Sequence, residues 1–274
     1  MRALAAAVLL GWCGVAHATS GFVREPGGGY VKLYYSELRS SVYFTLDGVR
    51  RDDGQQLRQR GVTLYGEYGL LPHVQIAVSL PLLRANSFTA SDASAGLGDA
   101  SLELKSGTAI ADWHLAAALA LELPTGRSRA FVDLDDGGQI NLPTGDGEWN
   151  LWARVALSRG LPSLRAYASL DVGYNLRTEG FTDQYGAGFE VGHQLLGYVW
   201  LSARARVQKT LGDDINAGVP FLYGEGSEFV AIDAGAAVPV FSSAFVTLDY
   251  TNVAAARRNV YGGSLVSVGM GATW

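Results

Sequence analysis

The chain has 274 residues, with 48% hydrophobic and only 17% charged side chains, 35 glycines and a formal net charge of −5. Few charges, an acidic balance and no basic stripe exclude the usual nucleic-acid binder. A mean hydropathy of only +0.12, with no apolar run of bilayer length after the first eighteen residues, excludes a helical membrane protein.

Met1-Arg2 is a short positive start, followed by an apolar run from Ala3 to Val15 and an A-x-A site at Ala16-His17-Ala18. This order predicts a secretory signal peptide over 1–18, cleaved to leave one domain over 19–274; a retained amino-terminal helix is the alternative. Cys13, the only cysteine, leaves with the leader, so the mature chain has no disulfide and no thiol chemistry.

Beyond the leader the sequence alternates. Over 164–177 Leu164, Ala166, Ala168, Leu170, Val172, Tyr174 and Leu176 are apolar, and the residues between them are polar or small. A period of two marks a strand with one apolar and one polar face. This one is long for a soluble strand and suits a tilted strand crossing a bilayer. Such segments fall at 29–38, 61–70, 73–83, 98–108, 113–123, 148–158, 163–177, 184–194, 197–209, 228–238, 243–253 and 263–274. Their connections alternate short and long. The short ones lie near Leu71-Pro72, Ala109–Asp112, Gly160–Pro162, Leu196-Gly197 and Pro239–Ser242. The long ones are Arg39–Arg60, Arg84–Leu97, Pro124–Gly147, Leu211–Ser227 and, more briefly, Thr178–Asp183 and Ala254–Gly262. The predicted fold is therefore all-β: an antiparallel transmembrane β-barrel of about twelve strands with short periplasmic turns and long external loops.

Aromatic residues cluster at strand ends. Trp113, Tyr198, Trp200, Phe241 and Phe245 lie near short turns, and Trp149, Tyr174, Tyr185 and Phe229 near long loops, as two interfacial girdles would. The last strand ends on Trp274, which resembles the sorting signal of outer-membrane barrels and predicts the barrel-assembly machinery as a partner.

If the apolar face meets lipid, the other face is the lumen. The alternation places Glu67, Glu103, Lys105, Glu122, Arg154, Arg165, Asp171, Glu190, Arg204, Arg206, Asp233 and Asp249 there, with Tyr65, Trp152 and Tyr167. Charges of both signs are compatible with a salt-bridged interior or a wet channel, and argue against strong selection by charge. Twelve strands about 4.8 Å apart give a backbone diameter of roughly 24 Å, and side chains leave an opening of order 10 Å or less. That admits a small molecule and excludes a folded protein.

The loops carry short motifs. Gly96-Leu97-Gly98-Asp99 precedes the strand Leu102-Glu103-Leu104-Lys105. Leu123-Pro124-Thr125-Gly126 and Leu142-Pro143-Thr144-Gly145-Asp146-Gly147 bracket the longest loop, and Tyr68-Gly69-Leu70 precedes Val74–Pro81. Pro and Gly stop strands, and Asp99 and Asp146 can cap turns by bonding backbone N–H groups. In this order the motifs resemble the meta-pathway phenol-degradation family of outer-membrane proteins. The resemblance covers most of the mature chain. It implies a barrel that admits aromatic or other hydrophobic compounds, and it supplies no catalytic or binding residue to carry over.

Other chemistry finds little material. Asp133, Asp135, Asp136 and Asp146 share a loop but lack EF-hand spacing. No Gly-x-Ser-x-Gly or His-Glu-x-x-His motif occurs. His73 and His193 fall beside short turns, and His114 points to the lumen with no serine obviously beside it. The reading is a non-enzymatic channel of the bacterial outer membrane, in a Gram-negative organism, passing small, aromatic or uncharged hydrophobic solutes. It has no cofactor, metal or nucleic-acid partner. The alternatives are a structural or adhesive barrel, and an outer-membrane lipid hydrolase. Outer-membrane lipid and lipopolysaccharide are the expected surroundings; Arg50, Arg51, Arg58, Arg60, Arg257 and Arg258 fall in external loops, where the first reading is a solvated loop and the second a pairing with lipopolysaccharide phosphates.

Overall fold

The computed structural model describes residues 20–52, 54–212 and 227–274. The leader over 1–18 lies outside the described residues, as does most of the loop at Leu211–Ser227. Twelve long strands form the wall. They are β1 (Gly29–Ser40), β2 (Leu57–Leu71), β3 (Val74–Ser87), β4 (Ala100–Ile110), β5 (Trp113–Leu123) and β6 (Asn150–Leu161). They continue as β7 (Ala166–Arg177), β8 (Gln184–Leu195), β9 (Val199–Thr210), β10 (Glu228–Pro239), β11 (Ala244–Arg258) and β12 (Ser264–Thr273). Each is antiparallel to its neighbour in the sequence, and β1 pairs with β12 from Tyr30↔Thr273 to Arg39↔Ser264. The sheet therefore closes, and no wall strand keeps an unpaired edge.

Every expected segment contains a wall strand. The largest differences are at the long-loop ends, where β2 begins at Leu57 and β11 runs on to Arg258; smaller ones of two or three residues occur at short turns, as where β6 runs on to Leu161 and β7 begins at Ala166. Four of the short turns use a non-glycine residue at positive φ: His73 at 72°, Ala111 at 54°, Arg165 at 48° and Leu196 at 52°. That is the left-handed geometry a tight hairpin demands.

The alternation is read directly from exposure. Leu104 is 52% exposed while its neighbour Lys105 is 4% exposed. Around the wall the outward residues are mostly Leu, Val, Ile and aromatics, and the inward residues are mostly polar, charged or small, with a minority of large rings. An apolar exterior with enclosed charges inverts the layout of a water-soluble barrel and matches one built for lipid.

The girdles need correction. Trp113, Trp149, Tyr174, Tyr185, Tyr198 and Phe241 are exposed outside. Phe245 is instead buried inside, stacked on Tyr30 at 5.4 Å between ring centroids. Trp200 packs beside Tyr167 at 6.1 Å, and Phe229 lines the lumen. In each case the residue sits on the inward parity of its strand, and parity outweighs nearness to a strand end.

Glycines within strands receive rings from their neighbours. Tyr167 lies across Gly192, its register partner on β8, and the indole of Trp274 lies across Gly29 beside the closing seam. A Cβ at either position would fall inside the ring. Gly192→Val is therefore expected to displace Tyr167 and break its 2.6 Å hydrogen bond to Glu190. Overpacking of this kind costs about 1–3 kcal/mol. The temperature at which the folded band converts to the unfolded band on a gel should fall. The control Val191→Leu, on the outer face of the same strand, should leave that temperature unchanged.

Candidate functional site

The inner face at mid-height is a belt of ion pairs. Lys32 Nζ meets Asp249 at 2.9 Å, and Arg206 holds Asp233 through Nε at 2.8 Å and Nη2 at 2.9 Å. Thr251 donates to the same Asp233 carboxylate at 2.5 Å. Arg204 meets Asp171 at 3.0 Å, and Arg154 stands 3.9 Å from Glu103 with its guanidinium 4.3 Å from the Trp152 ring centroid. A charge enclosed in a narrow barrel needs a partner nearby, because leaving one alone in a low-dielectric space is costly.

Below the belt, toward the short turns, the lumen is filled from two sides. Tyr30, Tyr34, Tyr65, Ala77 and Phe245 form one buried cluster. Opposite it lies the segment Ser20–Arg24, which precedes β1. Gly21 N–H donates to Ser158 Oγ at 2.7 Å, Phe22 packs on His114 at 4.7 Å, and Val23 lies against Gly107. Arg24 N–H donates to Gln75 Oε1 at 2.9 Å, and its guanidinium meets Glu67 at 2.6 Å. Tyr65 O–H donates to the other Glu67 oxygen at 2.8 Å. The amino-terminal segment thus forms part of a floor across the barrel. Sequence reasoning missed this element, since Ser20–Arg24 has no periodicity and no motif.

Above the belt is a cavity of about 330 Å³ to which every wall strand contributes. Its sides differ. Over β10, β11, β12, β1 and β2 the lining includes Phe229, Val253, Leu265, Leu38 and Leu57. Over β5 to β9 it includes Glu122, Asn150, Asn175, Gln184, Arg206 and Gln208. Asn175 Nδ2 donates to Asn150 Oδ1 at 3.3 Å and to Gln184 Oε1 at 3.4 Å, and Asn150 Nδ2 donates to Glu122 at 3.3 Å. A side richer in apolar residues, with Gln59, Thr63 and Thr251 among them, thus faces a band of amides and charges that also includes Trp152. The other described voids near the belt measure about 30 and 20 Å³.

The cavity's rim is set by the sequence motifs, which converge on Asp99. Its Oδ1 accepts from Gly126 N–H at 2.9 Å and its Oδ2 from Asp146 N–H at 3.0 Å. Thr144 N–H donates to Arg127 O at 2.9 Å, and Arg127 N–H returns to Thr144 Oγ1 at 3.0 Å. Gly126 lies backbone to backbone on Gly145, a contact that a Cβ would break. Leu142, Thr144 and Glu148 are fully buried as a result. Arg84 reaches Thr144 O at 3.2 Å, and Asn86 and Ser94 donate to Pro143 O and Leu142 O. Below this clasp Arg177 pairs with Glu148 through two donors on one oxygen, while Glu148 Oε2 is buried without a partner.

Burial, then the neighbouring Asp146, pushes the Asp99 carboxyl above its usual range, against the pull of the two backbone N–H groups. Burial likewise pushes Glu148 up to about 9, against the pull of Arg177.

The expected lumen residues fall as follows. Glu67, Glu103, Lys105, Trp152, Arg154, Tyr167 and Arg206 are buried on the inner face, and Tyr65 with them. Glu122, Asp171, Glu190, Arg204, Asp233 and Asp249 are half-buried on the same face. Arg165 is the exception. It is exposed in the turn after Pro162–Leu164, at a φ of 48°, because β7 starts one residue later. His114 does have a serine beside it, since Ser158 is its register partner on β6. The Ser158 hydroxyl is engaged by Gly21 N–H and by Ser169 Oγ at 2.6 Å, and Phe22 covers His114, so the pair lies under the amino-terminal segment rather than open to substrate. In the longest loop, Asp136 caps Gly138 N–H at 3.0 Å and Asp133 accepts from Gln139 at 2.9 Å.

Among solved structures, an outer membrane channel from Pseudomonas putida F1 superposes with a TM-score of 0.69 at 14% identity, over 92% of this chain and 97% of that one. The chain has the outer-membrane barrel fold. The NanC porin gives 0.55 at 7% identity, over 88% and 98% of the two chains. The translocator domain of the autotransporter NalP from Neisseria meningitidis gives 0.55 at 13% identity, over 90% and 88%. A channel, a porin and a translocator share this architecture, so the likeness speaks for the fold and leaves the cargo to the site. No family profile and no curated protein matches the sequence.

Two outcomes are expected at the rim. Asp99→Ala removes the acceptor of two backbone N–H groups, each charge-assisted bond contributing about 1.5–3 kcal/mol. The loop between β5 and β6 should come loose, and trypsin should then cut at Arg127 or Arg129 in the folded barrel, which the parent chain resists. For Glu148, the folded protein holds a proton that an unfolded chain loses near its ordinary value of 4.5. The site's contribution is thus complete below that pH and declines as pH rises toward 9. Glu148→Gln should unfold at about the same temperature as the parent at pH 4 and at a higher one at pH 9. A constant difference across that range would remove the burial explanation.

Proposed function

We propose that the protein is an outer-membrane channel for small, uncharged amphipathic solutes, with aromatic alcohols and phenols as the fitting class. The observation that carries this reading is the two-sided cavity of about 330 Å³. That is the scale of a small-molecule site. A flat ring can lie on Phe229, Val253 and Leu265 while its hydroxyl groups meet the amides of Asn175 and Gln184. The surrounding charges are largely neutralised in pairs, which leaves little field to select an ion. The apolar outer wall supports residence in the outer membrane, with the long loops outside and the floor toward the periplasm. Export by a cleaved leader and insertion through the carboxy-terminal strand ending at Trp274 belong to the same reading.

Because Ser20–Arg24 crosses the floor, passage requires that segment to shift. Purified barrels in liposomes should swell faster in phenyl glucoside than in a disaccharide of similar size. Phe229→Asn with Val253→Asn should erase that preference. Deleting residues 20–24 should raise flux of both solutes several-fold. Equal and negligible flux through the parent and the deletion variant would reject transport and leave a structural barrel.

A further inference from the structure

Charged side chains interrupt the apolar exterior near the strand ends, among them Lys209, Arg159 and a cluster on β1 and β2. On the outer face of β1 and β2, at their long-loop ends, Glu37 accepts from Arg39 Nε at 2.5 Å, Arg58 Nε at 2.8 Å and Tyr35 O–H at 2.7 Å. Arg60 stands directly opposite Glu37 in the register. One carboxylate thus binds two guanidinium groups, with a third arginine in register across the strand pair. The Arg39 and Arg58 side chains are 59% and 38% exposed. Immediately below, Leu33, Val62, Val266 and Val268 continue the same outward face as an apolar surface. Charges pointing outward from a barrel wall are costly at the bilayer centre and cheap near its edge, so this cluster marks the height of the lipid headgroups.

A surface crevice of about 360 Å³ adjoins the cluster and shares Arg39 with it. Arg50, Arg257, Ser40 and Ser41 also line it, and no carboxylate is among its described lining residues. Arg50 pairs with Asp52 at 3.3 Å, and Arg257 packs over Phe44 at 4.8 Å, so both heads are held in place at the crevice. Guanidinium groups in fixed positions suit phosphate oxygens, which they can meet with two parallel N–H donors.

We propose that this face binds the phosphorylated glucosamine headgroup of an outer-leaflet glycolipid of the lipid A type. The phosphates lie against Arg39, Arg58 and Arg60, the sugar enters the crevice, and the acyl chains run down the apolar wall of β12, β1 and β2. The site rests on the outer-membrane placement proposed above. The sequence places Arg58 and Arg60 in an external loop; with Arg39 they instead belong to the wall strands β1 and β2, where a lipid's phosphate and chains can be engaged together.

The test uses the folded full-length mature chain, first inserted into phosphatidylethanolamine bilayers and then titrated in neutral detergent with diphosphoryl lipid A. The comparison ligands are the same lipid stripped of both phosphates, and phosphatidylglycerol. The parent should bind diphosphoryl lipid A at least ten-fold more tightly than either. Replacing Arg39, Arg58 and Arg60 with Gln should abolish the preference, and replacing all three with Lys should keep part of it. Arg60→Gln alone leaves the Arg39–Glu37–Arg58 bonds intact and should still lose about three-fold, which guards against a triple variant that does not fold. Unchanged affinity in the Gln variants, or phosphatidylglycerol binding as tightly as lipid A, overturns the site. A chain that does not insert into the bilayer overturns the membrane reading along with it, whereas a well-inserted barrel that ignores lipid A overturns the site alone.

Discussion

Closure of β1 onto β12 is the constraint from which the rest of the structure follows. The two strands pair over Tyr30–Arg39, and Gly29 and Trp274 extend the seam by exchanging backbone hydrogen bonds at 3.0 and 3.2 Å. In lipid an unpaired strand edge is untenable, so the ring must be complete. Completion then divides each strand into an outward half that meets apolar surroundings and an inward half in a confined space. That confinement is why Lys32, Arg154, Arg204 and Arg206 all stand close to a carboxylate. The same confinement makes room for large rings only where a neighbour is glycine, as at Gly192 beneath Tyr167.

The sequence makes this wall easy to read because a period of two survives averaging and needs no knowledge of distant contacts. The acids and bases of the lumen follow from the same parity. What parity cannot supply is a starting point at strand ends. Phe245, Trp200 and Phe229 look like girdle residues by position, yet each sits on the inward phase and packs inside. Arg165 looks inward by phase, yet the turn at Pro162–Leu164 takes it out of the strand. Ser20–Arg24 was not legible at all. Its place depends on Ser158, Gln75, Glu67 and His114, four residues from separate strands that only the closed ring brings together.

The loop motifs stand between these cases. Their residue types announce turns, and Asp99 and Asp146 were readable as caps. Their mutual contact was not, since Gly96–Asp99, Leu123–Gly126 and Leu142–Gly147 meet only after the loop between β5 and β6 folds back on itself. The physical meaning of the repeated Leu-Pro-Thr-Gly element is a pair of arms. Gly126 and Gly145 let the backbones touch, Thr125 and Thr144 tie each arm to its neighbours, and one Asp99 carboxylate spans both. The motif thus shapes a rim, and a resemblance carried by it speaks first about the mouth of the barrel and only through the mouth about a solute.

Rim, belt and floor differ in how they could yield to a passing molecule. The belt is made of side chains anchored on paired strands, and separating an ion pair there leaves two enclosed charges. The rim is bound by several backbone and carboxylate bonds around Asp99. The floor segment has no ladder of its own. It is held mainly by Gly21 on Ser158, Arg24 on Gln75 and Glu67, and ring contacts of Phe22, and it joins the wall only at β1. Elements with few bonds open at lower free energy than those within a cooperative sheet. Movement of Ser20–Arg24 could therefore open the floor while the wall stays closed, and the aromatic cluster around Tyr30 and Phe245 would remain as the apolar side of the passage. Between the apolar half of the cavity and that cluster stand Thr251, the Lys32–Asp249 pair and Ser267, so a solute leaving the cavity would cross a polar ring before it met an apolar surface again.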